Sequence, residues 1–146
     1  MPIDSLHEIS IAAPAARVFD AWISAAGLRA WWTSNVEVPT RPGVNYVFGF
    51  DGGNVRFHFR VDEQEVPRSL QWVGVPGPGM PEEWIGTRIE VRLSEGEEGG
   101  TRLLFTHANW RSAEGAYREC NTTWGELMYR LKDHCEGRTR GPLFDG

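Results

Sequence analysis

The apolar spacing between Tyr117 and Glu136 is the feature that most constrains how this chain can fold. Apolar residues recur there at steps of three and four, at Tyr117, Cys120, Trp124, Leu127, Met128, Leu131 and Cys135. This spacing places them along one side of an α-helix. Such a helix must bury its apolar side against another element. The sequence therefore predicts a long helix that closes the chain and packs on what precedes it.

The segments before this helix alternate apolar and polar residues, as half-buried β-strands do. The alternation is nearly perfect over residues 55–61, which follow an Asp-Gly-Gly turn typical of a hairpin. Strands are predicted at residues 4–11, 44–50, 55–61, 70–73, 87–93 and 103–107. Residues 33–43 and 74–81 are rich in proline and glycine and are predicted to be connections.

Two short helices are predicted after the first strand. Pro14 suits the first turn of a helix, and the apolar residues that follow it, Val18, Phe19, Trp22 and Ile23, have helical spacing. Ser24 is a suitable cap for a second helix that ends near Ala30. The order of elements predicts an α+β fold, in which a curved antiparallel sheet of about six strands wraps around the long C-terminal helix.

Composition and charge exclude several classes of function. The 146 residues carry a net charge of −5 without a basic run, so nucleic acid is not an expected partner. The four histidines are scattered, which gives no expectation of a metal, and no cofactor motif is present. No signal peptide or transmembrane stretch is apparent, which predicts a cytoplasmic protein that does not enter a membrane.

Several motifs together resemble the START-like (SRPBCC) superfamily, and within it the branch of the activator of the heat-shock-protein-90 ATPase. They are IAAPAARVFDAW from Ile11 to Trp22, the pair Trp31-Trp32, GGNVRFHF from Gly52 to Phe59, GTRLLFTH from Gly100 to His107, and WGELMYRLK from Trp124 to Lys132. The resemblance implies a helix-grip fold, with a deep cavity between sheet and terminal helix that takes hydrophobic molecules. We expect one START-like domain over residues 1–146, with 137–146 as a possible flexible tail.

Inward-facing aromatic residues are the candidates for lining this cavity, although buried aromatic residues more often serve as plain core. The predicted ligand-binding residues are Trp32, Phe48, Phe57, Phe59, Trp72, Trp84, Phe105, His107, Asn121, Trp124 and Met128. Trp31 and Trp32 either cover the opening of the cavity or anchor the second helix, and we favour anchoring, with one ring in contact with the cavity. Glu82, Glu83 and Trp84 either form a lid or belong to a long connection.

His107 is the best catalytic candidate, because strand parity directs it inward at the end of the sheet. It and Asn121 are predicted to orient a ligand carbonyl or hydroxyl, or to support proton transfer. The alternative is a buried histidine satisfied by a backbone carbonyl, which we favour because the sequence shows no partnered acid.

Three functional hypotheses follow. The first is binding of a small hydrophobic or aromatic molecule between the sheet and the C-terminal helix. The second is a cyclase, dehydratase or hydrolase that uses the same cavity. The third is an interaction module that stimulates a chaperone ATPase, which requires a protein partner and an exposed apolar patch. The sequence leaves the oligomeric state open.

Overall fold

The computed structural model describes residues 2–138 and 140–146, which form the predicted α+β arrangement. The elements in chain order are β1 (Ile3–Ile11), α1 (Ala15–Ile23), α2 (Ala25–Trp31), β2 (Asn35–Glu37), β3 (Tyr46–Phe50), β4 (Val55–Glu65), β5 (Ser69–Gly74), β6 (Arg88–Glu95), β7 (Thr101–Trp110) and α3 (Ala116–Cys135). The predicted long helix corresponds to α3, and its predicted limits are shifted by one residue at each end. The two predicted short helices are α1 and α2.

All seven strands belong to one antiparallel sheet in the order β1-β7-β6-β5-β4-β3-β2. The first strand therefore pairs with the last, which brings the two ends of the sheet-forming sequence together. The expected six strands become seven, because β2 lies inside the segment 33–43 that was predicted to be a connection. Three residues, Asn-Val-Glu, are too few to show a period of two.

The short helices begin and end where the local sequence requires. Pro14 is the N-cap of α1 and has an extended conformation. Ser24 ends α1 and also caps α2, because its hydroxyl accepts a hydrogen bond from the Gly27 N–H at 3.0 Å. This confirms the predicted role of Ser24 as a cap. The indole N–H of Trp31 donates to the Ala21 carbonyl at 2.9 Å, which ties the two helices together.

Tryptophan and phenylalanine rings fill the centre of the space between the sheet and the helices. Trp22 on α1 lies 6.1 Å from Trp72 on β5 and 6.0 Å from Phe105 on β7, measured between ring centroids. Phe105 in turn lies 4.4 Å from Trp124 on α3. All four side chains are at most 2 % exposed. The space between sheet and helices, where the resemblance implies a deep cavity, is therefore packed with side chains at its centre.

The end of the chain packs back on the body instead of extending away from it. The backbone N–H groups of Leu143 and Phe144 donate to the carbonyls of Trp31 and Trp32, and Ser34 N–H donates to the Phe144 carbonyl. The Phe144 ring meets Phe50 edge-on at 5.2 Å. Residues 143–146 therefore pack on the body of the protein, within the segment 137–146 that was expected to be a flexible tail, and Thr139 lies outside the described residues.

Candidate ligand-binding pocket

One apolar cavity of about 340 Å³ opens at the end of the sheet where β3 turns into β4. We call it the aromatic pocket. Six aromatic residues line it: Trp32, Phe50, Phe57, Trp84, Trp124 and Phe144. Val55 and Leu127 add aliphatic surface, and Asp51, Glu119, Cys120 and Thr123 supply its polar groups. Its size and apolar lining are those of a small-molecule site.

The walls of the aromatic pocket are held by direct ring contacts. Phe57 on β4 stacks on Trp84 with 3.8 Å between ring centroids and an angle of 11°. Trp32 stacks on Phe48 at 4.2 Å and lies 5.0 Å from Trp124 across the cleft between α2 and α3. Because these rings are fixed by neighbours on several elements, the pocket is formed before any ligand arrives.

A hydrogen-bonded chain behind the pocket runs through His107. The Trp124 indole N–H donates to His107 Nδ1 at 3.1 Å, so the ring proton is on Nε2, which lies 2.9 Å from Thr87 Oγ1. The Thr87 hydroxyl donates to the Trp84 carbonyl at 2.7 Å. The chain therefore links Trp124 and Trp84, two walls of the pocket, through a buried imidazole.

His107 is fully buried and does not line the pocket. Burial lowers its pKa to about 3, so the ring is neutral at physiological pH. Its two nitrogens are bonded by side chains, and not by the backbone carbonyl that the sequence suggested. The imidazole of the catalytic candidate His107 therefore has both nitrogens bonded and no direct access to the pocket, and its bonds join Trp124 to Thr87.

Asn121, which was predicted to orient a ligand together with His107, has hydrogen-bond partners of its own. The Asn121 side-chain oxygen accepts a hydrogen bond from the Ser5 hydroxyl at 2.5 Å and lies 3.2 Å from His7 Nε2. These partners are on β1, so Asn121 joins α3 to the edge strand instead of facing the pocket. One turn along the helix is enough to direct Asn121 and Trp124 to different neighbours.

Four of the eleven predicted ligand-binding residues line the pocket, namely Trp32, Phe57, Trp84 and Trp124. The other seven, Phe48, Phe59, Trp72, Phe105, His107, Asn121 and Met128, lie outside its lining, and all of them except Asn121 are buried. Trp84 closes the short 3₁₀ turn Glu82–Trp84, and only its ring enters the site. Trp31 joins α2 to α1 through its indole hydrogen bond, and Trp32 lies in the pocket lining.

The residues that sequence reasoning missed carried weak or no signals. Phe50 faces the same side of its strand as Phe48, and Cys120 and Leu127 belong to the apolar side of α3. These three residues could therefore have been predicted to line the pocket. Phe144 stands in a tail without any periodicity. Asp51 and Glu119 look like ordinary surface residues in the sequence, and only the fold brings them to the pocket.

The only ionisable groups that line the pocket, among the described residues, are two carboxylates and one thiol. Burial raises the pKa of the Cys120 thiol to about 11, against the opposing effect of a hydrogen bond with the Trp84 side chain. The thiol is therefore neutral, and the fixed charge at the pocket comes from Asp51 and Glu119. The described residues contain no group of three or more potential metal-binding side chains.

The fold and site can be compared with known proteins. The model of the family described as Activator of Hsp90 ATPase homolog 1-like protein matches residues 12–136. No curated protein sequence matches the chain significantly.

None of the helices in residues 2–138 and 140–146 combines the length and apolar character needed to span a membrane.

Solved structures are similar to the chain over almost its full length. The Aha1 dimer from Colwellia psychrerythraea is 30% identical, with a TM-score of 0.81, and the match covers 93% of this chain and 98% of that chain. Protein MLL2253 from Mesorhizobium loti is 15% identical, with a TM-score of 0.78 and coverage of 92% and 98%. Protein SSP2350 from Staphylococcus saprophyticus is 16% identical, with a TM-score of 0.74 and coverage of 95% and 97%. The last two show a shared fold only.

Proposed function

The chain belongs to the family of Activator of Hsp90 ATPase homolog 1-like proteins, as the motifs suggested, and within this family we propose that it binds a small hydrophobic or aromatic molecule in the aromatic pocket. The observation that carries the proposal is the cluster of six aromatic side chains around one cavity of about 340 Å³. Burying flat apolar surface against such walls is the main source of affinity in small-molecule sites.

The size of the pocket limits the ligand. In another protein, an apolar cavity of about 150 Å³ takes up a single benzene ring. A pocket of about 340 Å³ suits a molecule of one or two fused rings, or a short branched chain. A sterol or a long acyl chain would need the central space, which Trp22, Trp72 and Phe105 occupy.

The proposal can be tested by filling the pocket without removing its walls. Thr123 lines the pocket, whereas its neighbour Thr122 is exposed and does not. We expect 2-naphthalenemethanol to bind the native protein with one molecule per chain, by native mass spectrometry and thermal shift. Thr123→Phe should abolish binding, and the matched control Thr122→Phe should retain it. At a hundredfold excess over Kd, ligand binding raises the free energy of unfolding by about 2.7 kcal/mol.

Two results would contradict the proposal. One is equal binding by the two phenylalanine variants, which would place the ligand elsewhere. The other is the absence of a bound mass and of a thermal shift across a panel of neutral one-ring and two-ring compounds.

The family supports a second candidate function, stimulation of an Hsp90-type ATPase through protein contact. Leu6 on β1 and Leu104 on β7 are 68 % and 36 % exposed, and strand pairing makes them diagonal neighbours on the outer face of the sheet. They form a small apolar surface on which a partner can pack. We expect the double variant Leu6→Ser, Leu104→Ser to lose any stimulation while the Thr123→Phe variant keeps it. An unchanged Hsp90 ATPase rate with excess native protein would remove this candidate.

We further propose that the protein acts in the cytoplasm. Its two cysteines, Cys120 and Cys135, are both free thiols, which suits a reducing compartment. The net charge of −5 and the apolar pocket favour a small molecule over nucleic acid as the bound partner.

A further inference from the structure

The charges around the aromatic pocket are all of one sign. Asp51 lies at the turn after β3 and Glu119 in the first turn of α3, and both carboxylates border the cavity. Neither forms an ion pair with any residue in the described part of the chain. No arginine, lysine or histidine of that part is in the lining. The charged side chains that line the pocket are therefore all acidic, which favours a negative potential at its surface.

The aromatic walls add to this potential. The face of an indole or phenyl ring carries partial negative charge, and an ammonium group within about 6 Å of such a ring is attracted to it. Three of the six aromatic residues here are tryptophans, which attract cations most strongly. A cage of aromatic rings with carboxylates at its edge is the arrangement that recognises alkylated ammonium groups.

The positive end of α3 opposes this trend, because a helix N-terminus favours anions. Here that end is already occupied by carboxylates of the protein. Glu83 accepts a hydrogen bond from the Ala116 N–H, the first residue of α3, at 3.3 Å. Glu119 lies in the same turn. The helix end therefore contributes little attraction for an anionic ligand.

We propose that the aromatic pocket selects ligands that combine an apolar ring with a positively charged amine, and rejects the corresponding carboxylic acids. This inference rests on the proposed binding function and names the class of ligand. The ring of the ligand packs among Trp32, Trp84 and Trp124, and its ammonium group lies at the edge of the pocket near Asp51 and Glu119. The two carboxylates stay hydrated at the surface, where they attract the cation without a large desolvation cost.

Three probes that share a naphthalene ring and carry a substituent of different charge test the proposal. They are 2-naphthylmethylamine, 2-naphthalenemethanol and 2-naphthoic acid, which at pH 7 are cationic, neutral and anionic. Binding is measured by calorimetry at 20 mM and 300 mM salt. We expect the amine to bind at least tenfold more tightly than the acid at low salt, with the alcohol between them. The difference should shrink at high salt, because screening weakens interactions of exposed charges.

Charge-removing variants assign the effect to the two carboxylates. Glu119→Gln and Asp51→Asn should each weaken binding of the amine several-fold and leave the affinity for the alcohol unchanged. Glu126→Gln, which makes the same change on α3 outside the lining, is the matched control and should affect neither probe.

The outcomes separate this inference from the proposed function. Equal affinity for amine and alcohol, or tighter binding of the acid, would overturn the charge preference and leave the binding function standing. Binding of the amine that responds to Glu126→Gln as strongly as to Glu119→Gln would also overturn it, because net charge alone would explain the effect. Failure of all three probes would overturn both.

Discussion

The indole N–H of Trp124 donates a hydrogen bond to Nδ1 of His107 at 3.1 Å, and this contact connects a wall of the aromatic pocket to strand β7. Replacement of His107 by leucine leaves the Trp124 N–H without an acceptor inside the core, whereas the Thr87 hydroxyl still donates to the Trp84 carbonyl. A buried polar group that loses its partner costs about 1–3 kcal/mol. We expect His107→Leu to lower the free energy of unfolding by about 1–3 kcal/mol in urea titrations.

The same variant tests the positioning role of His107. With Trp124 no longer held, 2-naphthalenemethanol should bind more weakly to His107→Leu, although His107 does not touch the pocket. Thr87→Val interrupts the chain one step further from Trp124 and should weaken binding less. Native affinity in His107→Leu would show that ring packing alone fixes Trp124.

The buried His107 also makes stability depend on pH. Its pKa is lowered from an ordinary value near 6.5 to about 3, so between these values a proton binds the unfolded chain and not the folded one. Stability from this group is complete above pH 6.5 and is lost as the pH falls towards 3, at up to about 1.4 kcal/mol per pH unit. We expect His107→Gln to remove that slope between pH 6 and 4.5.

The difference between the two pH profiles is the quantity to measure, by urea unfolding at each pH. His7 and His134 also have lowered pKa values, because both are partly buried, so the variant retains some slope. Parallel profiles for the native protein and His107→Gln would mean that His107 is protonated in the folded state.

Strong periodicity made most of the fold predictable. The apolar side of α3 and the alternation in β4 each involve many residues that follow the same period. One residue that departs from the period therefore does not change the predicted element. Ser24 was equally informative, because a cap is a local contact between residues three apart. Strand β2 was not predicted, because its three residues are too few to show a hydrophobic pattern. They are recognised as a strand only through their pairing with β3.

The pocket was harder to predict than the fold, because inward orientation does not distinguish core from cavity. Phe48 and Phe50 share a face of β3, yet Phe48 is fully buried and Phe50 lines the pocket. Whether an inward-facing ring is buried in the core or lines the pocket depends on which side chains of α1 and α2 fill the space above it. Phe144 depends on a tail that pairs with residues 31–34, a contact over more than a hundred residues of sequence.

Phe144 provides a prediction about the role of this tail. Its ring lines the pocket, while the adjacent Leu143 is also half-buried but does not. We expect Phe144→Ala to weaken binding of 2-naphthalenemethanol at least fivefold, because one wall is lost. Leu143→Ala is the matched control, with a similar loss of about 1–2 kcal/mol in stability and little change in affinity. Equal weakening by both variants would indicate that the tail acts only by stabilising the fold.

Cys120 offers a test of occupancy that requires no substitution of a pocket wall. Burial raises the pKa of Cys120 from 9.0 to about 11, so at pH 8 its thiolate fraction is about a hundredfold below that of an ordinary cysteine. Cys135 is 1 % exposed, its pKa is raised to about 12, and it is outside the pocket. We expect iodoacetamide to modify Cys120 slowly and Cys135 hardly at all in the folded protein, as measured by peptide mass spectrometry.

A ligand that fills the aromatic pocket covers the Cys120 thiol, so saturating 2-naphthylmethylamine should slow its modification further, in proportion to the occupied fraction. The residual reaction at Cys135 reports global unfolding, which a bound ligand also suppresses. A ligand bound elsewhere would therefore slow Cys135 by stabilising the fold and leave the folded-state reaction of Cys120 unchanged. A ligand that covers the Cys120 thiol slows both cysteines. Protection of Cys120 by the amine would thus place the ligand against the first two turns of α3, beside Glu119, and an unchanged rate at Cys120 would contradict this placement.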